Sequence, residues 1–258
     1  MTTTKDGPIA GLIGKQALEL RELVKGSDSI ELKLTVPETS YRSGAAALGI
    51  DPLDAQIRQV FFFDTPDLAL NKAGVVVRAR RVQAKGDDSV IKLRPVVPAD
   101  LPAELRALPD FVVELDALPG GYVCSGSLKG VPRASVRETV AGKGPLRKLF
   151  SKDQRAFFAE HAPDGLSIDD LEVLGPIFVL KLKLSPKAFG RRLVTEMWLY
   201  PDGSRIVELS TKCLPGEGID VAEQLFDFLA SKGIPTDAAQ ETKTKTALEF
   251  FSAELHSS

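Results

Sequence analysis

The chain is poor in the residues that build several common kinds of site. It has 2 cysteines and 2 histidines among 258 residues. Cys124 and Cys213 are too few for a disulfide framework or a CxxC metal site, so we expect reduced thiols. His161 lies near a proline-containing break and His256 near the C-terminus. A histidine base or a histidine-rich metal site is therefore not expected.

Long apolar runs and a large excess of one charge are also missing. The longest apolar stretches, such as 75–77 and 177–180, fall far short of the roughly 20 residues that cross a bilayer. The N-terminus carries no hydrophobic region of a signal peptide. The formal net charge is −2, from 33 Lys plus Arg against 35 Asp plus Glu. We therefore expect a cytoplasmic protein with no membrane, DNA or RNA as partner.

Several motifs that bind phosphate or perform hydrolysis are absent as well. Gly14-Lys15 is followed by Gln16, which does not match the Walker A pattern. No GxGxxG follows a predicted strand, and no GxSxG is present. The aromatic run 61–63 and the single Trp198 sit at strand spacing, so we expect them in the core or lining a barrel.

Polar and apolar residues alternate along eight segments, which predicts eight strands. In Ser29–Val36 every odd position is polar and every even one is apolar. Pro201-Asp202-Gly203-Ser204 joins the last two strands as a hairpin, so a largely antiparallel sheet is expected. The other predicted strands are 58–64, 74–82, 89–94, 111–116, 177–184, 193–200 and 205–213.

Helical segments are predicted before and between these strands. An amphipathic stretch from Ile9 to Val24, ended by Gly26, predicts an N-terminal helix. No repeat or linker divides the chain. We therefore expect an N-terminal helical extension over 1–28 and a single domain over 29–256, with a helical insertion at about 120–175. The remaining predicted helices are 39–49, 103–108, 133–141, 145–160, 219–232 and 243–255.

Charges of both signs gather on the polar faces of the predicted strands. The basic residues there are Lys33, Arg78, Arg80, Lys92, Arg94, Lys181, Lys183 and Lys212. The acidic residues are Glu31, Glu114, Asp116, Glu196 and Glu208. A solvated sheet face would explain any single pair. The whole set is better explained by an α+β protein whose sheet closes into a barrel, with its polar face inward and helices on its outside.

Such an interior predicts a small polyanion as ligand. Lys and Arg side chains hold phosphate groups as point charges and forked donors. Carboxylates beside a polyphosphate are explained most simply as ligands for Mg²⁺ or Mn²⁺, which bridge carboxylate and phosphate oxygens. The expected ligand is therefore a small polyanion with several phosphates.

Six short motifs, in order along the chain, resemble those of the CYTH superfamily, the triphosphate tunnel metalloenzymes. The likeness runs from Ser29 to about Phe251. The superfamily includes class IV adenylyl cyclases, thiamine triphosphatases and inorganic triphosphatases. The motifs are Ser29-Ile30-Glu31-Leu32-Lys33 for ExExK, Phe62-Phe63-Asp64-Thr65-Pro66 with Asp67-Leu68 for the FDTP and DL segment, Val77-Arg78-Ala79-Arg80 for LRxR, Ile91-Lys92-Leu93 for TxK, Val207-Glu208-Leu209-Ser210 for the late ExE, and Thr242-Lys243 before Ala247 for the SK signature.

The resemblance implies an eight-stranded antiparallel β-barrel that binds a triphosphate. By the same likeness, Glu31 and Glu208 would hold the metal, and together with Lys33 they are the predicted catalytic residues. Arg94, Lys181, Lys183 and Lys212 are predicted to add to the positive charge of the tunnel. The residues that the family likeness assigns to phosphate are Lys33, Arg78, Arg80, Lys92 and Lys243.

Two positions depart from the family pattern. Ser29 stands at the first Glu of ExExK, and Ser210 stands at the second Glu of the late ExE. Two carboxylates of the usual metal set are therefore hydroxyls, which weakens metal affinity. Glu114, Asp116 and Glu196 face the same way and are predicted to compensate as metal ligands.

Three functions follow from the sequence. The leading hypothesis is a metal-dependent hydrolase of inorganic or small organic triphosphates. The alternative is a non-catalytic binder or sensor of polyphosphate or a nucleoside triphosphate, which Ser29 and Ser210 favour. The third is an adenylyl cyclase of the class IV type, although no sequence feature marks an adenine pocket.

Overall fold

The computed structural model describes residues 15–237, 239–240 and 242–257. Nine strands form the sheet: β1 (Ser29–Val36), β2 (Gln56–Asp64), β3 (Val75–Val82), β4 (Asp88–Leu93), β5 (Phe111–Leu118), β6 (Gly121–Gly130), β7 (Glu172–Leu184), β8 (Leu193–Leu199) and β9 (Arg205–Cys213). The predicted strands overlap eight of these, and β1 and β9 have the predicted bounds.

The described helices lie between and beside the strands. They are α1 (Lys15–Gly26), α2 (Tyr41–Leu48), α3 (Ala69–Lys72), α4 (Ala103–Arg106), α5 (Val136–Val140), α6 (Lys152–His161), α7 (Gly218–Ser231) and α8 (Lys243–Ser257). Short 3₁₀ helices cover Glu38–Ser40, Pro52–Asp54, Pro98–Asp100, Leu146–Leu149, Ile168–Asp170 and Pro215–Glu217. Residues 9–14 of the predicted N-terminal helix lie outside the described residues. None of the described helices is both long enough and apolar enough to span a membrane.

The sheet closes into a barrel with the strand order β1-β5-β6-β4-β3-β2-β7-β8-β9. The pairing of β1 with β5 is parallel, and the other eight neighbouring pairs are antiparallel. The predicted α+β barrel with helices outside is therefore confirmed. The prediction of eight antiparallel strands was wrong, because the barrel has nine strands and is mixed.

The ninth strand, β6, lies in the segment for which a helical insertion was expected at about 120–175. Its sequence contains three glycines and two serines, residues that strands seldom favour, so the apolar alternation is weak. Packing explains the glycine at position 126, because a Cβ there would lie 2.7 Å from the Phe111 ring. Helices α5 and α6 occupy the later part of that segment. The division of the chain at residue 28 stays a prediction.

The main apolar cluster lies between the outer face of the barrel and the helices. Strand residues such as Leu34, Ile91 and Leu115 are buried there together with Leu225 and Leu229 of α7. The strand residues occupy the positions that alternate with charged ones, as the two-residue period requires. Helices thus cover the apolar face of the sheet and leave its polar face to the interior.

A second, smaller apolar cluster fills one end of the barrel interior. Trp198 and Ile206 belong to it, and each lies two residues from an interior carboxylate on its own strand. Phe62 of β2 packs on Trp198 with ring centroids 6.4 Å apart. From α8, Ala247, Leu248 and Phe251 are buried against these rings. This apolar plug places α8 at one end of the tunnel, which confirms that Phe62 and Trp198 line the barrel.

Asp64, from the segment that resembles the family FDTP motif, has a structural role. Its carboxylate accepts hydrogen bonds from the backbone N–H groups of Thr65 and Leu70 at 2.8 Å, and of Asn71 at 3.0 Å. These bonds fix the loop between β2 and α3, because the side chain satisfies backbone donors at the start of the helix. Burial raises the pKa of Asp64, while the three hydrogen bonds oppose that rise.

Phe62→Ala is expected to lower the free energy of unfolding by about 3–5 kcal/mol, because it empties the centre of the apolar plug. The Phe62 side chain is 0% exposed. Urea denaturation measures the change. Leu53→Ala serves as control, since Leu53 is 92% exposed and its truncation should cost within about 0.5 kcal/mol. Equal losses for the two variants would contradict the plug.

Candidate functional site

Closure of the barrel brings most of the predicted site residues into one tunnel. Residues paired across neighbouring strands face the same side, so the register shows which side chains are interior. Glu31 pairs with Asp116 on β5 and with Lys212 on β9, and Glu196 pairs with Glu208. The interior face of β8, β9, β1 and β5 is called the carboxylate wall here. It carries Glu196, Glu208, Glu31, Glu114 and Asp116.

Lys33 is the central base of the carboxylate wall. Its Nζ lies 2.9 Å from Asp116 Oδ1 and 3.3 Å from Glu31 Oε2. Burial alone would lower the pKa of Lys33, but Asp116 and Glu31 outweigh it and raise that pKa above its usual value. Burial alone would raise the pKa of Asp116, but Lys33 outweighs it, so that the pKa is lowered. Arg94, whose Nη1 lies 3.4 Å from Asp116 Oδ2, adds to this lowering. Both partners are therefore charged at neutral pH.

Glu114 extends this network toward the rim of the tunnel. It pairs with Lys212, whose side chain is 53% exposed and whose Nζ is also 4.0 Å from Glu31 Oε2. The Ser29 hydroxyl donates to Glu114 Oε2 at 3.4 Å, and the Ser210 hydroxyl donates to Glu31 Oε1 at 3.1 Å. The two serines that depart from the family pattern thus point at the carboxylates that remain.

Glu196 and Glu208 share a different base. Lys243, the first residue of α8, places its Nζ 2.6 Å from Glu196 Oε2 and 2.8 Å from Glu208 Oε1. Lys181 binds the other oxygen of Glu196 at 2.7 Å, and Trp198 Nε1 donates to Glu196 at 3.2 Å. Burial opposes ionisation, yet Lys243 and Lys181 hold the pKa of Glu196 well below its usual value. Lys243 was predicted to bind phosphate, but the structure places it among these carboxylates.

The opposite side of the tunnel is basic. The interior face of β2, β3 and β4 is called the cationic wall here. It carries Arg58, Arg78, Arg80 and Lys92. Around the ring, β5 and β6 lie between β1 and this wall on one side, and β9, β8 and β7 lie between them on the other. Arg78 and Lys92 form no ion pair and no hydrogen bond with any residue in the described parts of the chain. This wall therefore presents positive charge that the protein does not neutralise.

Because Arg78 and Lys92 lack acidic partners, their pKa values lie below the usual values. Burial, followed by repulsion from Arg80, lowers the pKa of Arg78 to about 9. Burial lowers the pKa of Lys92 to about 8, against some support from Asp116. Both remain cations at neutral pH, at a cost in free energy that an anion would relieve.

Two contributors to the cationic wall were missed in the sequence. Arg58 lies two residues before Val60 on the interior face of β2, and burial and Arg80 lower its pKa. Strand parity along β2 would have found it. Asp88 holds Arg80 through two hydrogen bonds of 2.7 and 2.8 Å, a partner that the β3–β4 register supplies.

One predicted site residue lies outside these networks. Lys183 pairs with Val194 toward the open end of the barrel and is exposed. Between the two walls, β6 contributes the small interior side chains of Ser125 and Ser127, both buried.

The carboxylate wall has the chemistry that a hard divalent cation needs. Glu31, Glu114 and Asp116 each offer one oxygen, and the three oxygens lie within 4.8 Å of one another. Carboxylate oxygens are the ligands that Mg²⁺ and Mn²⁺ prefer. The residues present therefore fit such an ion. The roles of the individual residues in catalysis and metal binding stay predictions.

Comparisons with known proteins identify the fold. Two solved structures, both described as putative adenylyl cyclases, resemble the chain. One is from Bacillus halodurans, with a TM-score of 0.59 and 14% identity, covering 85% of this chain and 97% of that one. The other is HpAC1 from Hippeastrum, described as having a dominant triphosphatase activity, with a TM-score of 0.61 and 16% identity, covering 85% and 95%. No family model and no curated protein matches the chain. At these identities the likeness shows a shared fold.

Lys92→Met is expected to stabilise the ligand-free protein at pH 7 by up to about 3 kcal/mol. Folding lowers the pKa of Lys92 from 10.5 to about 8, so the unfolded chain binds more protons between these pH values. Wild-type stability should therefore rise with pH in this window, and the gap between variant and wild type should narrow. Urea denaturation at pH 7 and pH 10 measures both effects.

Lys129→Met is the matched control, because Lys129 is exposed on β6. It should leave stability within about 0.5 kcal/mol at both pH values. If Lys92→Met destabilised the protein equally at pH 7 and pH 10, the claim that Lys92 is an unpaired, half-buried cation would be wrong.

Proposed function

We propose that the chain is a CYTH-type tunnel protein that hydrolyses inorganic or small organic triphosphates with the help of a divalent cation. The observation that carries the proposal is the separation of charge across the tunnel. Unpaired Arg78 and Lys92 lie on one wall, and paired carboxylates lie on the other. A sheet with a merely solvated polar face has no need to bury unpaired cations.

A phosphate chain complements both walls at once. Arg78 and Lys92 would bind its non-bridging oxygens, Arg78 as a forked donor and Lys92 as a point charge. Arg80 is held in place by Asp88 and adds to the same potential. Binding would supply the counter-charge that the cationic wall lacks, so the ligand would stabilise the folded protein.

The chemistry is positioning and neutralisation of charge. In phosphoryl transfer the transition state spreads negative charge over the equatorial oxygens, and fixed cations stabilise it. Lys33, between the carboxylate wall and the tunnel axis, is assigned to this role. Glu31 and Glu208 are assigned to orienting the attacking water, because both are carboxylates that accept hydrogen bonds in the tunnel. When bound, Mg²⁺ or Mn²⁺ would neutralise phosphate oxygens and polarise the water.

The shared fold supports this reading of the site. One structure with this fold is described as having a dominant triphosphatase activity. The six family-like motifs lie on the strands and helix that build the two walls, apart from the segment at Asp64, which fixes a loop.

A non-catalytic polyphosphate binder is the second candidate, and a specific observation favours it. Each carboxylate of the carboxylate wall already has a lysine or arginine partner within 4.0 Å. Ser29 and Ser210 provide hydroxyls where the family pattern has carboxylates. A tunnel of this kind could hold an anion with no cation present.

Phosphate release from inorganic triphosphate in the presence of Mg²⁺ or Mn²⁺ tests the hydrolase. Arg78→Gln is expected to weaken triphosphate binding by about 10- to 100-fold, because it removes a charge-assisted contact. Calorimetry measures the affinity, and phosphate release measures turnover. Arg137→Gln, at an exposed position on α5, should leave both unchanged.

The outcomes separate the candidates. Release at background level with both metals would refute the hydrolase, and tight binding that persists in EDTA would then select the binder. The same assay with ATP, analysed for cyclic AMP, tests the cyclase. Binding that Arg78→Gln does not weaken would refute the cationic wall as the phosphate site.

A further inference from the structure

We infer that an exposed basic surface outside the barrel continues the phosphate site, so that the protein takes a linear inorganic polyphosphate longer than triphosphate. The surface is formed by residues 129–155 and is called the basic surface here. The inference rests on the proposed function, because it names the substrate class of that same site. Its evidence is the charge of this segment, the exposure of its bases, and its position at the exposed end of the cationic wall.

Positive charge is concentrated in this segment. Residues 129–155 contain eight Lys or Arg against two Asp or Glu, in a chain whose formal net charge is −2. Only Arg147, which pairs with Asp169, forms an ion pair with a residue that the structure describes. Like charges held together repel one another, and a polyanion would relieve that repulsion. The eight bases, all exposed, are Lys129, Arg133, Arg137, Lys143, Arg147, Lys148, Lys152 and Arg155.

Gln154 fixes the start of α6 against β4 and β6. Its Nε2 donates to the backbone oxygen of Leu128 at 3.1 Å, and its Oε1 accepts from the Ser89 hydroxyl at 3.0 Å. The Gln154 side chain is 0% exposed. Ser89 lies at the beginning of β4 and Leu128 near the end of β6. Lys148 and Lys152, which flank the start of α6, therefore lie by these strand ends.

The same strand ends carry the exposed end of the cationic wall. Arg78 on β3 pairs with Val90 on β4, and Val90 pairs with Lys129 on β6. Paired residues face the same side, so Lys129 continues the interior row of Arg78. The side chains of Arg80 and its partner Asp88 are 24% and 35% exposed, and Lys129 is exposed. A phosphate chain held by Arg78 therefore meets solvent beside Lys129, where the basic surface begins.

A linear polyphosphate complements the tunnel and the basic surface with one chemistry. Each of its units carries non-bridging oxygens that Lys and Arg side chains bind. Its end would lie at Arg78 and Lys92, and the units that follow would lie over Lys129, Lys148 and Lys152. Triphosphate held at Arg78 and Lys92 leaves the basic surface without an anion.

Single-stranded nucleic acid is the other polyanion that such a surface attracts. Proteins that bind it combine basic grooves with aromatic side chains on which the bases stack. Phe150 is the only aromatic residue among residues 129–155, and it is 3% exposed. The basic surface thus offers contacts to phosphate and none of the stacking contacts that bases need, which favours polyphosphate.

A variant with Lys148→Gln and Lys152→Gln tests the inference, because it removes two exposed charges from the basic surface. It is expected to weaken the binding of long-chain polyphosphate by about 10-fold at low salt and to change triphosphate affinity less than about 2-fold. Calorimetry at several salt concentrations measures both affinities. For polyphosphate, the slope of log affinity against log salt should fall by about 1.4, since each phosphate contact contributes about 0.7.

A variant with Lys187→Gln and Lys245→Gln is the matched control. Both lysines are exposed, and they lie in the loop between β7 and β8 and on α8, which contacts β7. Strands β7 and β8 are across the ring from β4 and β6. The control should change the affinity for either anion less than about 2-fold. An equal loss of polyphosphate affinity in the control would overturn the inference.

Three further outcomes are decisive. Triphosphate binding by the wild type, with a polyphosphate affinity that Lys148→Gln and Lys152→Gln do not lower, would overturn the inference alone. Single-stranded RNA bound as tightly as polyphosphate would also overturn it, in favour of a nucleic-acid surface. Failure to bind triphosphate under any condition would instead refute the proposed function.

Discussion

A charged side chain inside a closed barrel must find a partner or cost free energy, and the rest of this structure depends on that constraint. The barrel interior and its rim hold nine basic and six acidic side chains in these networks. The acids all have basic partners. The positive excess falls on Arg58, Arg78 and Lys92, which lie together on β2, β3 and β4. Inside the barrel, the positive charge that lacks an acidic partner is thus confined to one wall.

The two cores keep this arrangement in place. The outer cluster, under the helices, holds the apolar faces of β1 and β5 among other strands and so fixes the register that pairs Glu31 with Asp116. The inner cluster closes one end of the tunnel with α8, whose first residue is Lys243. Because Lys243 binds Glu196 and Glu208, the plug and the carboxylate wall are coupled.

Much of the fold could be predicted from local sequence, because a two-residue period records which side of a strand is buried. Ser29–Val36 and Arg205–Cys213 alternate cleanly, and their bounds were correct. Gly121–Gly130 was missed because its inward serines and its glycines, one of them packed under Phe111, do not alternate in polarity. The parallel β1–β5 contact could not be predicted, since pairing between distant segments leaves no local pattern.

The candidate site could likewise be predicted only in part from the sequence. Parity identified which side chains face inward, and it would also have identified Arg58. It could not tell which of them meet, because partners are set by the order of strands around the ring. Lys243 was predicted to hold phosphate but lies on two carboxylates, and Lys183 faces inward by parity but ends exposed at the rim. Strand order, which sequence spacing does not encode, separates the two walls.

The central claim is that the unpaired cations of β2, β3 and β4 form the phosphate site. A crystal structure of the protein with inorganic triphosphate, grown in EDTA, tests it most directly. The account predicts phosphate oxygens inside the barrel within about 3 Å of the Arg78 guanidinium and the Lys92 ammonium. Triphosphate bound only on the outer surface, with Arg78 and Lys92 still free of an anion, would contradict it.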